Sequence, residues 1–271
     1  MMDRVTLKAL CAALEELAPL HGAAPWDNVG LLLEPRVDAE VSRVLLCIDL
    51  SEPVVDEALE LGASLVVAYH PPIFSGVKRL TQSRPLDRSI MRLIGAQVAL
   101  YSPHTALDAV PGGVCDWLAE GLGSLSGSRP IEPSQPDSEA GMGRLVSLQE
   151  PSTVNALLVR LKVHLGLSHL RCALPDGADP STMQVQDVAL CPGAGGDLFE
   201  KVAGADLFLS GEMRHHDILA RVAEGAAVIL CDHSNSERGY LKRLSQALSQ
   251  IFGDALHVEV SGADVEPLQV L

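Results

Sequence analysis

The chain has 271 residues, enough for one large domain or two of ordinary size, and 47% of them are hydrophobic, so it can bury a core and disorder is excluded as its main state. Twenty Lys and Arg against 35 Asp and Glu leave a formal charge of −15, which opposes any binding mode built on neutralising phosphates. Aromatics make up only 3%, too few for platforms that stack single strands, so direct nucleic-acid binding is not expected and the core must come from Leu, Val and Ala.

The first predicted element is an amphipathic stretch, Met1 to Leu20. Glu15 and Glu16 interrupt it, so it lacks the unbroken apolar run of a secretion signal. Strands follow at Val29 to Leu33 and Val44 to Leu50. Ser51 is placed to cap a helix running to about Leu61, with Glu52 in its first turn and Gly62 as the stop. A third strand, Leu65 to Tyr69, completes a β-α-β unit and runs into His70-Pro71-Pro72, where the prolines stiffen the turn and aim His70 at the strand's carboxyl end. A hydrogen bond to a loop carbonyl would use the same histidine without chemistry. A helix from about Leu86 to Ile94 closes at Gly95 and feeds a strand from Val98 to Tyr101. Beyond it, Ser102-Pro103-His104-Thr105 and Asp108 deliver imidazole and carboxylate groups within one loop, at the rim where open α/β sheets hold ligands. Capping of the next helix by Thr105 and Asp108 is the plain alternative.

From Gly121 to Gly143 the composition shifts to Gly, Ser, Pro and acidic residues, with Pro130, Pro133 and Pro136 spaced through it. The boundary is placed there: an N-terminal half at 1–128, a linker at 129–143 and a second half at 144–271. The second half opens with a strand at Arg144 to Leu148, a helix at Thr153 to Leu165 and strands near Leu170 to Leu174 and Val185 to Leu190. The loop Cys191-Pro192-Gly193-Ala194-Gly195-Gly196-Asp197 offers backbone amides to an anion, although it matches neither dinucleotide-binding nor Walker spacing.

Gly211-Glu212-Met213-Arg214-His215-His216 holds one Glu-x-x-His, a spacing that di-iron bundles use in two copies. Adjacent histidines diverge by about 100° on a helix, so one of the two would face a metal and the other would serve as acid, base or clamp. A strand from Ala226 to Leu230 ends at Cys231-Asp232-His233, and Tyr240, Leu241, Leu244, Leu248 and Ile251 predict a long helix from Asn235 to Ile251. His233 and Glu237 converge if that helix begins near Ser234, but Ser234 with Glu237 equally fits a capping box. A last strand is predicted at Leu256 to Val260.

The six cysteines, Cys11, Cys47, Cys115, Cys172, Cys191 and Cys231, form no C-x-x-C pair, which fits a reducing compartment, cytoplasmic or, in a eukaryote, nuclear. Cys231 follows an apolar run and is read as core, with a thiolate nucleophile as the rival. Apolar runs stop short of the roughly 18 residues that cross a bilayer, so no membrane span is expected. The alternation of strands and helices specifies an α/β fold in two layers. His70, Asp108, His233 and Glu237 together offer two imidazoles and two carboxylates from three strand ends, a mixture suited to one or two divalent ions, with zinc, manganese, iron and nickel all acceptable.

Six ordered blocks carry a wider likeness. They are Trp26-Asp27-Asn28-Val29-Gly30-Leu31, Tyr69-His70-Pro71-Pro72-Ile73-Phe74, Tyr101-Ser102-Pro103-His104-Thr105 with Asp108, Cys191-Pro192-Gly193, Ser210-Gly211-Glu212 with His215-His216, and His233 with Glu237. Over almost its whole length the chain resembles the Nif-three-like dinuclear-metal proteins, also known as GTP cyclohydrolase I type 2 homologues. The resemblance implies two α/β halves, mixed sheets with helices packed on them, and homo-oligomers, often toroidal hexamers, whose metal sites face an inner cavity. It also implies His70, Asp108, His233 and Glu237 as metal ligands. Tyr69 stands where the first of a usual His-His pair would be, and a neutral phenol is a poorer ligand than imidazole, so a second ion is expected to be weaker or absent. Animal-type members look similar in this Tyr-His, in Ser234-Asn235-Ser236-Glu237-Arg238-Gly239 and in Glu266-Pro267-Leu268-Gln269-Val270. The segment between Gly121 and Gly143 leaves no room for the central domain inserted in longer bacterial members.

Two functions follow. One is metal-assisted hydrolysis of an unidentified small molecule, a nucleotide or phosphoester, with His104, Glu212, His215 and His216 as the proton-transfer set and Gly193 to Gly196 holding a phosphate. The family label points to GTP, yet neither a guanine-reading constellation nor a zinc site with Cys ligands is visible. The other is a metal-stabilised oligomeric interaction protein of the transcriptional co-regulator type, whose acidic surface suits basic protein partners.

Overall fold

Short runs of Leu, Val and Ala alternate with amphipathic stretches, and the computed structural model, which describes residues 4–37 and 39–270, turns them into strands and helices. The first are α1 (Leu7–Leu17), β1 (Gly30–Leu33), β2 (Arg43–Cys47), α2 (Glu52–Glu60), β3 (Leu65–Ala68), α3 (Pro85–Gly95), β4 (Ala99–Ser102) and α4 (His104–Ala109). There follow α5 (Val114–Glu120), β5 (Leu125–Arg129), β6 (Glu132–Pro133), β7 (Gly141–Met142), β8 (Arg144–Thr153), α6 (Val154–Leu165) and β9 (Arg171–Ala173). The last are β10 (Gln184–Ala194), α7 (Gly196–Phe199), β11 (Leu207–Glu212), α8 (His215–Ala223), β12 (Ala227–Leu230), α9 (Tyr240–Phe252) and β13 (His257–Val260). The fold is mixed α/β, and no helix among the described residues is long and apolar enough to cross a membrane.

The chain divides into two units, Met1–Leu107 with Tyr240–Val265, and Asp108–Gly239 with Glu266–Leu271. These boundaries differ from the predicted 1–128, 129–143 and 144–271. The difference has a physical cause: β13 pairs in parallel with β2, so the chain's end belongs to the first sheet and brings α9 with it.

In the first unit the sheet order is β1-β4-β3-β2-β13, with β1 antiparallel to β4 and the other pairs parallel. Residues Leu65–Ala68 and Ala99–Ser102 are buried throughout, as parallel strands covered on both faces require. Helix α2 buries Val54, Val55 and Ala58, which join Leu93 of α3 over Leu45, Val66 and Leu100. Ser51 stands at the N-cap of α2, but its side chain makes no capping bond; Gly62 takes the predicted left-handed turn at φ +66°. Helix α3 runs through Gly95, and Gln97, at φ +59°, makes the turn that Gly95 was expected to make.

In the second unit the order is β5-β8-β10-β11-β12-β9, with β10, β11 and β12 parallel and antiparallel strands outside them. Phe199, Val202, Phe208, Val228 and Leu230 form its core. The predicted linker is structured: β6 pairs with β7, and Pro133 lies opposite Gly141. A two-residue ribbon needs few backbone donors, so its prolines are tolerated. The segment is tied down by Arg144, only 2% exposed, whose guanidinium donates to Asp116 and to the carbonyls of Gly141 and Gly143.

The predicted helix from Asn235 does not begin there. Ser234–Ser236 form one 3-10 turn, a further turn follows at 237–239, and α9 starts at Tyr240. The Ser236 hydroxyl accepts from the Gly193 amide at 2.7 Å and donates to the His233 carbonyl, a local alternative to helical bonding.

Candidate functional site

In the first unit the sheet register builds a cluster of polar side chains at one edge. Leu46 of β2 pairs with Val67 of β3, which pairs with Tyr101 of β4. Three residues further along each strand stand Asp49, His70 and His104. The His70 amide donates to the Ile48 carbonyl at 3.0 Å, which extends the ladder, and its Nδ1 lies 2.9 Å from Asp49 Oδ1. His104 Nδ1 lies 2.8 Å from Asp27 Oδ1, and the His104 and His70 rings are 5.4 Å apart. Tyr69 is 2% exposed and packs its ring against both, 5.2 Å from His70 and 5.5 Å from His104.

Asp27 holds this edge together. Its carboxylate accepts from the amides of Asn28 and Thr105, at 2.7 and 3.1 Å, and from the Thr105 hydroxyl as well as His104. Thr105 therefore serves Asp27 rather than capping a helix. Burial alone would raise the Asp27 pKa, but the hydrogen bonds from His104, Thr105 and the Asn28 amide outweigh it and hold the carboxyl below its usual range.

In the second unit His233 follows β12 and Glu237 follows the 3-10 turn. His233 Nδ1 is 2.9 Å from Glu212 Oε1 at the end of β11, and its Nε2 is 3.6 Å from Glu237 Oε1, whose side chain is 3% exposed. Gly193 leaves the room for this pair. A Cβ there would stand 2.7 Å from Glu237 Oε1 and 3.0 Å from His233 Nε2, and the residue's φ of +61° suits glycine. Burial first, then the charges of Asp108 and Glu237, push the Cys191 thiol up, with only Arg144 acting in the opposite sense. Asp108 and Glu237 thus act on one thiol. Burial, Asp232 and Glu237 push Cys231 up to about 12; it is 2% exposed, and its Sγ donates to the Ser210 carbonyl. It is a core thiol, as the sequence suggested.

A nitrogen and a carboxylate oxygen 3.6 Å apart over a glycine fit two ligands of one divalent ion, since each would need a bond of about 2.0–2.2 Å. The donor set, imidazole with carboxylate, is also of the right kind.

Two sequence expectations change. The amides of Gly193 and Gly195 are taken by the hydroxyls of Ser236 and Ser210, so the glycine loop is stitched internally and loses these donors for a phosphate. Glu212 closes a strand while His215 and His216 open α8, so Glu-x-x-His does not lie on one helical face; the two histidines are exposed, with rings 5.4 Å apart. Sequence reasoning passed over Asp27 and Asp49 as partners of histidines. A common offset from strand ends could have revealed Asp49, whereas Asp27 meets His104 only through a loop.

Residues 5–268 match the family Duf34/NIF3 (NGG1p interacting factor 3). The protein NIF3 homolog of Schizosaccharomyces pombe is 43% identical over 92% of each chain. NIF3-like protein 1 of Mus musculus is 35% identical over 98% of this chain and 93% of that one. The crystal structure of a Staphylococcus aureus hypothetical protein, 26% identical, matches with a TM-score of 0.86 over 99% of this chain and 100% of that one. A match across both units, with identity above a third to full-length relatives, makes the conclusion plain: the chain belongs to the Duf34/NIF3 family.

Proposed function

We propose that this protein binds one or two divalent metal ions through His70, Asp108, His233 and Glu237 and uses them in hydrolytic chemistry on a small substrate, a nucleotide or phosphoester. One observation carries the reading: His233 Nε2 confronts the buried Glu237 carboxylate at 3.6 Å above a residue that must be glycine. A divalent cation set between this imidazole and this carboxylate would be ligated by both. His233 and Glu237 each offer one ligand atom, and in this reading His70 and Asp108 complete the set. Zinc, manganese, iron and nickel all suit this set. A bound divalent ion would supply Lewis-acid polarisation and a more acidic water.

The chain's own residues then handle substrate and protons. His104, held by Asp27, takes up or returns a proton at Nε2. Glu212 steadies His233. His215 and His216, exposed at the start of α8, clamp an anionic group or carry protons to solvent. The working form in this reading is a homo-oligomer, a hexamer as the resemblance implies, in the cytoplasm or nucleus.

The family description, an NGG1p interacting factor, favours a second reading in which metal stabilises an interaction protein and a charge of −15 attracts a basic partner. Elemental analysis of the unheated protein separates the possibilities when joined to a nucleotide and phosphoester screen. Metal in the wild type, lost together with turnover in Asp108→Ala and Glu237→Gln, is the expected result. A wild type without divalent metal overturns metal binding. Metal with no turnover anywhere in the panel, and partner capture unchanged in Asp108→Ala, overturns the enzyme and leaves the scaffold.

A further inference from the structure

Three histidines are held in the same way. His70 meets Asp49 at 2.9 Å, His104 meets Asp27 at 2.8 Å and His233 meets Glu212 at 2.9 Å, and in each case the ring nitrogen engaged is Nδ1. An ionised carboxylate only accepts hydrogen bonds, so Nδ1 must carry the proton. The lone pair of the neutral ring then sits on Nε2, because the bond made by one nitrogen sets the state of the other.

Stability does not explain these pairs. The Asp49 and Glu212 side chains are each 55% exposed, and pairs so open to water contribute at most about 1 kcal/mol. The third pair carries a backbone cost: His104 sits at φ +30°, a conformation that costs a non-glycine residue about 1–3 kcal/mol and persists where surrounding bonds enforce it. Those bonds are present, since the Asp27 side chain, 0% exposed, is fixed by Asn28 and Thr105 before it reaches His104.

We propose that Asp49, Asp27 and Glu212 are positioning residues that lock His70, His104 and His233 as Nδ1–H tautomers, presenting Nε2 of His70 and His233 to a metal and Nε2 of His104 to a substrate proton. The use of these Nε2 atoms rests on the metal-dependent reading above; the tautomers themselves do not. Asp27 and Asp49 enter the chemistry only through the imidazoles they hold.

The test begins with the full-length metal-free protein carrying 15N-histidine, its nine histidines resolved by nitrogen–proton correlation and the three assigned with His70→Gln, His104→Gln and His233→Gln. Protonated Nδ1 with unprotonated Nε2 in all three is the expected pattern near neutral pH. An Nε2–H tautomer in any of the three overturns the proposal. Zn2+ affinity by chelator competition supplies the second measurement. Glu212→Leu and Asp49→Leu should weaken it by about 10–100-fold, as loss of a partner behind a ligating histidine does, and Glu212→Gln, which still accepts from Nδ1–H, should recover most of the loss. Leucine variants that bind Zn2+ like the wild type overturn the proposal. A wild type that shows the Nδ1–H pattern but takes up no Zn2+ overturns the metal reading instead, so the two failures are distinguishable.

Discussion

Gly193 shows how much a single residue decides at this site. It was legible in the sequence only as part of a glycine-rich loop, and its role was read as offering an amide to an anion. Folding gives that amide to Ser236 and uses the missing side chain instead, leaving space beside Glu237 Oε1 and His233 Nε2. Gly193→Ala should displace Glu237, abolish metal uptake and destabilise the protein by about 1–2 kcal/mol through the left-handed backbone. Metal content and a urea unfolding curve check both parts; normal metal content would show that the gap is not required. His70 and His233 could be read from sequence because each follows an apolar run. Asp27 could not be matched to His104, because their meeting depends on where two loops fall.

At the level of elements, strands are the legible part. Val44 to Leu50 and Leu65 to Tyr69 were predicted; β3 lies within its range and β2 overlaps its own from Val44 to Cys47, because buried parallel strands must be continuous apolar runs. Stops and starts were less visible. Ser236 turns its hydroxyl to Gly193 and His233, so the expected helix start near Ser234 became a 3-10 turn, and His233 and Glu237 meet through that turn rather than on a helix. The segment around Pro133 was taken for linker because proline removes donors, yet Arg144 fastens it to α5 through Asp116. Asp116→Ala would leave the guanidinium buried with only neutral carbonyl partners from Val110, Gly141 and Gly143. Loss of about 3–5 kcal/mol is expected, read as a lower urea midpoint at unchanged slope. An unchanged midpoint would mean that the carbonyls alone satisfy Arg144.

For the whole molecule, the return of the chain's end to the first sheet is decisive. Helix α9 and strand β13 belong with β2, whose Leu45 and Leu46 are 0% exposed. A chain ending at Gly239 should therefore lose the cooperative unfolding of its first unit and associate through the uncovered edge of β2. Circular dichroism in urea with sedimentation checks this; a full-length midpoint in the shortened chain would refute it. Sequence alone determined the α/β class and the set of imidazoles and carboxylates at strand ends. These follow from composition and local periodicity, which act over neighbouring residues. Tertiary structure decided which strands are neighbours, where the units divide, which carboxylate stands behind each histidine and why residue 193 is glycine. Pairings between residues such as His257 and Arg43 arise from burial and backbone hydrogen bonding across the fold, and nothing local in the chain encodes them.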